Sequence, residues 1–174
     1  FCLMATLFAD LGWSSIAALG AYFLTVAGVL LLHAVIVYPT LLVLLGRVSP
    51  RTYLRKMREP MMVAFSTSSS GATLPVTLET VEKRVGVRNE VASFVIPLGA
   101  TINMDGTAIM QGVATVFIAQ AYAIPLELTD YMMVILTATM ASIGTAGVPG
   151  VGLIMLTMVL AQVGLPAEGI AMII

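Results

Sequence analysis

The stretch Pro60-Met-Met-Val-Ala-Phe-Ser-Thr-Ser-Ser-Ser-Gly-Ala-Thr-Leu-Pro-Val-Thr-Leu78 decides the fold of this chain. It carries no charge, opens on the apolar run Met61 to Phe65, and turns small and polar from Ser66 to Thr73. Arg47, Arg51, Arg55, Lys56 and Arg58 precede it, and Lys83, Arg84 and Arg88 follow it, which accounts for all 8 basic residues of the chain. Short loops rich in Lys and Arg stay on the cytoplasmic side of a membrane, so both flanks are expected inside. The stretch between them must then enter the bilayer and turn back as a re-entrant hairpin. Backbone at the tip of such a hairpin needs protein or a hydrated cavity to bond with, because hydrocarbon offers neither donor nor acceptor.

Composition supports a membrane setting: 59% of residues are hydrophobic, 10% are charged and the mean hydropathy is +1.03. Soluble domains carry roughly 25% charged residues. A net charge of -1 argues against a nucleic-acid partner, since phosphate recognition needs a basic surface. The single cysteine, Cys2, forms no internal disulfide. The chain opens on Phe1 without a leader segment and stops at Ile174 within an apolar stretch, so it is expected to be an internal part of a longer membrane domain.

Working outward, Trp13 to Gly46 holds no charged residue and is long enough to span, with Pro39 as the expected kink. Trp13, Tyr22 and Tyr38 are expected as interfacial anchors, and Glu79, Glu82, Lys83 and Arg84 as a solvated helix end. Val91 to Pro125 has one charge, Asp105, and leads to the acidic loop Leu126 to Asp130, expected outside. Tyr131 to Ala167 is again uncharged, but Ser142-Ile-Gly-Thr-Ala-Gly-Val-Pro-Gly150 interrupts it. Glycine and proline at that density end a helix, which predicts a second hairpin, entered from the opposite face. Both interruptions start on serine and place proline seven residues later, at Ser68/Pro75 and Ser142/Pro149. Broken apolar segments at matching places in two inverted halves point to a transporter's binding site. The fold class expected is therefore all-α, with transmembrane helices and two oppositely oriented re-entrant helical hairpins.

Asp105, within Asn103-Met-Asp-Gly-Thr107, lies in the middle of its apolar run. A carboxylate at mid-bilayer costs about 3 kcal/mol, so it is normally paired, protonated or metal-bound. Its own helix offers no Lys, Arg or His, and a cation from solution is the economical partner. Asn103, Asp105, Thr107 and carbonyls freed near Gly99 and Gly106 would serve a hard cation such as sodium. A protonated Asp bonded to a neighbouring helix, or one facing a water-filled pore, stays open on the residues alone. His33 could relay protons, although such a residue commonly only hydrogen-bonds a neighbouring helix.

Three motifs, Thr67-Ser-Ser-Ser-Gly-Ala-Thr-Leu-Pro-Val-Thr77, Pro97-Leu-Gly-Ala-Thr-Ile-Asn-Met-Asp-Gly-Thr107 and Ala141-Ser-Ile-Gly-Thr-Ala-Gly-Val-Pro-Gly150, resemble the glutamate transporter family of dicarboxylate/amino acid:cation symporters. The resemblance covers essentially the whole chain. It implies a multi-pass plasma-membrane (inner-membrane) homotrimer, not an enzyme, in which a transport domain slides past a fixed scaffold. Residues 1–20 would end a scaffold helix, and 21–174 would belong to the transport domain. Within that domain the resemblance implies a sixth helix at about 21–46, a first hairpin at 50–85, a seventh helix at 87–121, a second hairpin at 126–163 and the start of an eighth helix at 165–174. It implies a substrate site at Ser68, Ser70, Thr107, Gly147, Val148 and Gly152. Sodium ions, the co-transported cofactor, would use Asp105, Asn103 and the carbonyl of Gly99. A further set would be the carbonyls of Thr101, Ser142, Ile143 and Thr145 with the Met104 sulfur.

Ser68 stands where archaeal members have Arg, so the substrate's cationic partner is expected from the eighth helix, past Ile174. Asn103-Met-Asp105 resembles sodium-coupled more than proton-coupled members. The implied function is sodium-driven uptake of glutamate or aspartate across the lipid bilayer. A C4-dicarboxylate or neutral amino acid substrate is the alternative within the family, and a re-entrant-loop channel is the alternative from another class. An intramembrane serine hydrolase using Ser70, His33 and Asp105 would need Ser–His contact that no local motif supports.

Overall fold

In a computed structural model the backbone is described for residues 2–173 and side chains for 17–173. The described residues are helix and loop throughout, in line with the all-α expectation. Helix α1 (Cys2–Leu32) continues through a widened π turn (His33–Val37) into α2 (Tyr38–Leu44). No turn interrupts it at Gly20, where the scaffold helix was expected to end, and the backbone there is a single rod. The side chains of Cys2 and Trp13 lie outside the described residues. Ala17–Leu44 is, among the described residues, the one helix long and apolar enough to cross a membrane, and none of its most apolar window is buried.

Pro39 explains the π turn. Proline within a helix clashes with the carbonyl four residues back, and widening the preceding turn relieves that contact. The Tyr38 amide accordingly donates to the carbonyl of His33, five residues back. The wider turn brings His33 and Tyr38 together edge to face, ring centroids 4.7 Å apart at 76°.

After Gly46 the chain forms α3 (Pro50–Lys56), α4 (Arg58–Thr67) and α5 (Ser70–Thr80). Helices α4 and α5 fold back on one another as the first hairpin, with only Ser68 and Ser69 between them. An ion pair from Glu59 to Arg84, in the π turn Val81–Val85 that extends α5, closes the hairpin's open end. The solvated helix end expected there is observed: Lys83 donates to Glu79 at 2.8 Å, and that bond holds the exposed Glu79 carboxyl below its ordinary range.

Helix α6 (Asn89–Ile102) and α7 (Asp105–Ala121) occupy the expected seventh helix, broken at Asn103 and Met104. Helices α8 (Leu128–Ser142) and α9 (Val151–Gln162) form the second hairpin around the loop 143–150. A short 3-10 turn, Ala167–Met172, stands where the eighth helix was expected to begin. The core lies between α7, α8, α9 and that turn, centred on the fully buried Ile118, Leu156 and Leu160. Gly169 permits the closest approach, because a Cβ there would stand 2.5 Å from the Ile118 side chain.

Candidate cargo and cation site

Three helices start at one cavity of about 410 Å3. Ser70 opens α5, Thr107 lies in the first turn of α7, Gly152 in the first turn of α9, and all three line it. The helix dipole gives each such start a partial positive charge, so their convergence favours an anion. Ser68, Gly147, Val148, Met104 and Thr145 complete the wall. The six residues expected at the substrate site are thus brought together, with Val148 54% exposed at the rim.

The two hairpin tips touch. The carbonyl of Gly147 accepts the Gly71 amide at 2.9 Å and the Ser69 hydroxyl at 2.7 Å. Ser69 also caps α5, its Oγ accepting from the Ala72 amide at 3.2 Å. Ser68 holds the left-handed conformation that ends α4 (φ 49°), a strained geometry for a residue with a Cβ. At Gly147 a Cβ would stand 3.0 Å from the Gly71 nitrogen and 3.1 Å from Ser70 Cβ, so glycine is what allows this approach.

The helix that carries Asp105 was expected to offer it no cationic partner, and a bond to a neighbouring helix was left open. It is a neighbouring helix that Oδ2 meets, with His33 Nε2 at 2.5 Å and the Tyr38 hydroxyl donating at 2.6 Å. Both partners come from a helix distant in sequence, and the π turn that aims them cannot be read from the local run around Asp105. Tyr38 is therefore a partner of the carboxylate. Tyr22 packs on Phe117 with centroids 5.1 Å apart. Among the described residues, Oδ1 of Asp105 takes no hydrogen bond, and the side chain keeps 32% exposure. No hydrogen bond joins Ser70 to His33 among the described residues, so the hydrolase reading lacks its geometry.

The break at Asn103–Met104 frees backbone oxygens beside this carboxylate. Across it, no backbone N–H reaches the carbonyls of Ala100, Ile102 or Asn103 among the described residues. Three of the expected cation carbonyls already carry a donor: Gly99 accepts the Asn103 amide at 2.9 Å, Thr101 accepts the Gly144 amide at 2.9 Å, and Ser142 accepts the Thr145 amide at 3.3 Å. A carbonyl has a second lone pair, so none of the three is thereby lost to a cation. The Thr101 bond joins the break to the second tip, beside Ser142, Ile143 and Thr145. Gln111 went unnoticed in the sequence. It is fully buried, its Nε2 donates to the Gly152 carbonyl at 3.0 Å, and its Oε1 has no partner. An amide in an otherwise apolar run was the available signal.

The family model for the sodium:dicarboxylate symporter family matches residues 1–174. The chain belongs to that family. Among curated relatives it is 44% identical over 162 residues to excitatory amino acid transporter 3 of Mus musculus, covering 93% of this chain and 31% of that protein. It is 45% identical over 156 residues to excitatory amino acid transporter 1 of Homo sapiens, covering 90% of this chain and 29% of that protein. It is 46% identical over 147 residues to the putative sodium-dependent excitatory amino acid transporter glt-4 of Caenorhabditis elegans, covering 84% and 30%. The chain thus spans about a third of the length of these relatives, and the stretch it spans holds both hairpin tips and the broken helix between them.

Proposed function

We propose that the chain is the cargo-binding core of a plasma-membrane symporter that couples inward sodium movement to uptake of glutamate or aspartate. One observation carries this reading: three helix starts and the hydroxyls of Ser68, Ser70 and Thr107 surround one cavity, next to a carboxylate with a bare oxygen. The helix starts suit the carboxylates of the cargo, and Oδ1 of Asp105 with the freed carbonyls suits a hard monocation. Sodium there would offset the charge of Asp105 and, through Thr101 and Gly144, steady the second tip. Cargo would then meet a site already ordered by the ion, which makes binding of the two cooperative.

Both hairpins are read as re-entrant from opposite faces, with the basic flanks of the first in the cytoplasm. The fold's other parts follow the same reading: a homotrimer whose transport domain moves as a unit against a scaffold. Uptake of radiolabelled glutamate, aspartate, C4-dicarboxylates, serine and alanine by the full-length protein in proteoliposomes tests the proposal. An inward sodium gradient is expected to drive acidic amino acid accumulation. Single-channel currents without solute uptake would favour a channel instead.

A further inference from the structure

Outside the cargo site, α3 and α4 enclose a groove of about 560 Å3. They meet at a bend on Met57, which sets Arg55 at the end of one helix and Arg58 at the start of the next. From Arg58 the groove runs along one face of α4, past Met61 and Met62 to Phe65, at intervals of three and four residues. The seven steps from Arg58 to Phe65 rise about 10 Å along the helix. Leu54 closes one side. The apolar part carries no unspent polar group, because the Ser66 hydroxyl at its far end donates to the Val63 carbonyl. Phe65 is 90% exposed. Among the described residues neither Arg55 nor Arg58 has a carboxylate within ion-pair distance, and Glu59, next to Arg58 in the chain, is taken by Arg84.

Two unspent guanidinium groups at one end of an apolar stripe match a phosphate ester followed by an acyl chain. Guanidinium holds phosphate through paired, charge-assisted hydrogen bonds. Basic side chains at the membrane surface also favour anionic over zwitterionic lipid. We propose that this groove binds one anionic phospholipid of the inner leaflet, with Arg55 and Arg58 on its phosphate and an acyl chain along Met61, Met62 and Phe65. The site lies on the outer face of the first hairpin, so its occupant would bear on how freely that hairpin moves through the bilayer. The leaflet rests on the orientation proposed above.

The test uses the full-length protein in nanodiscs of mixed phosphatidylglycerol and phosphatidylcholine, with retained lipid read by native mass spectrometry. Arg55→Gln with Arg58→Gln is expected to lower retained phosphatidylglycerol about tenfold, whereas Arg47→Gln with Arg51→Gln, an equal charge change outside the groove, changes it less than twofold. Equal loss in both pairs, or no preference for phosphatidylglycerol, overturns the site. A photo-crosslinking phenylalanine analogue at Phe65 is expected to give a lipid adduct. A crosslink to another segment of the same protein would show that the chain itself covers the groove, and overturns the site as well. Arg51→Cys is expected to react with an impermeant thiol reagent from the cytoplasmic side only. Reaction from the outside alone overturns the orientation, and with it the leaflet, while the groove itself stands or falls on the two arginine pairs.

Discussion

The two hairpin tips begin from similar sequence and end as different structures. After Thr67 the chain needs only Ser68 and Ser69 to reverse, and the bonds that hold this turn are largely its own. Thr73 and Ala72 bond to Ser69, and Thr67 bonds back to Val63. After Ser142 the loop runs from 143 to 150 through left-handed glycines at 144 and 150. Thr145 ties it back to its own helix, its hydroxyl donating to the Ala141 carbonyl at 2.6 Å. Beyond that its anchors come from elsewhere: Thr101 accepts the Gly144 amide, and Ser69 and Gly71 donate to the Gly147 carbonyl. A tip fixed by its own side chains stays put whatever the site contains. A tip fixed by its neighbours stays put only while they hold it. On the proposed function, the first is the standing wall of the cargo site and the second is its gate.

The largest expected effect comes from the carboxylate at the broken helix. Asp105→Asn keeps the shape and the capacity to bond Tyr38 but removes the charge a cation would offset. Sodium-driven uptake is expected to fall at least about a hundredfold, the upper range of coupling between two sites. Uptake that survives at a tenth of normal would mean that the cation is held elsewhere. Next comes the contact between the tips. Gly147→Ala places a methyl group 3.0 Å from the Gly71 nitrogen, and overpacking of this kind costs about 1–3 kcal/mol. Cargo affinity in equilibrium binding is therefore expected to drop about tenfold or more, and an unchanged affinity would show that the tips need not touch.

The smallest effect separates the two serines. Ser69→Ala removes both the α5 cap and a donor to the second tip, a loss of about 1 kcal/mol. Ser142→Ala removes only a bond from Oγ to the Thr139 carbonyl, three residues back on the same helix. Hydrogen exchange at residues 144–150 is expected to quicken several-fold in the first variant and little in the second. The reverse order would mean that the second tip holds itself.

Much of this was legible in the residues. Charge placement marked the first helical hairpin, glycine and proline density marked the second, and the glycines around Asp105 marked a weak helix, which breaks at Asn103 and Met104. Equal spacing from serine to proline, however, does not give equal geometry. Pro75 sits inside α5, whereas Pro149 stays in the loop before α9, because Gly144 and Gly150 hold the chain out of helix around it. Nor was the pairing of Asp105 with His33 and Tyr38 readable, since it depends on a widened turn 72 residues away along the chain. Periodicity assumes a regular helix, and a proline that forces one extra residue into a turn moves every side chain after it.

The claim that a cation readies the cargo site is tested most directly by equilibrium binding of acidic amino acid to the full-length protein, titrated with and without sodium at constant ionic strength. Removing sodium is expected to weaken binding by about a hundredfold in the wild type and by less than threefold in Asp105→Asn. Equal affinity in the wild type under both conditions would contradict the account.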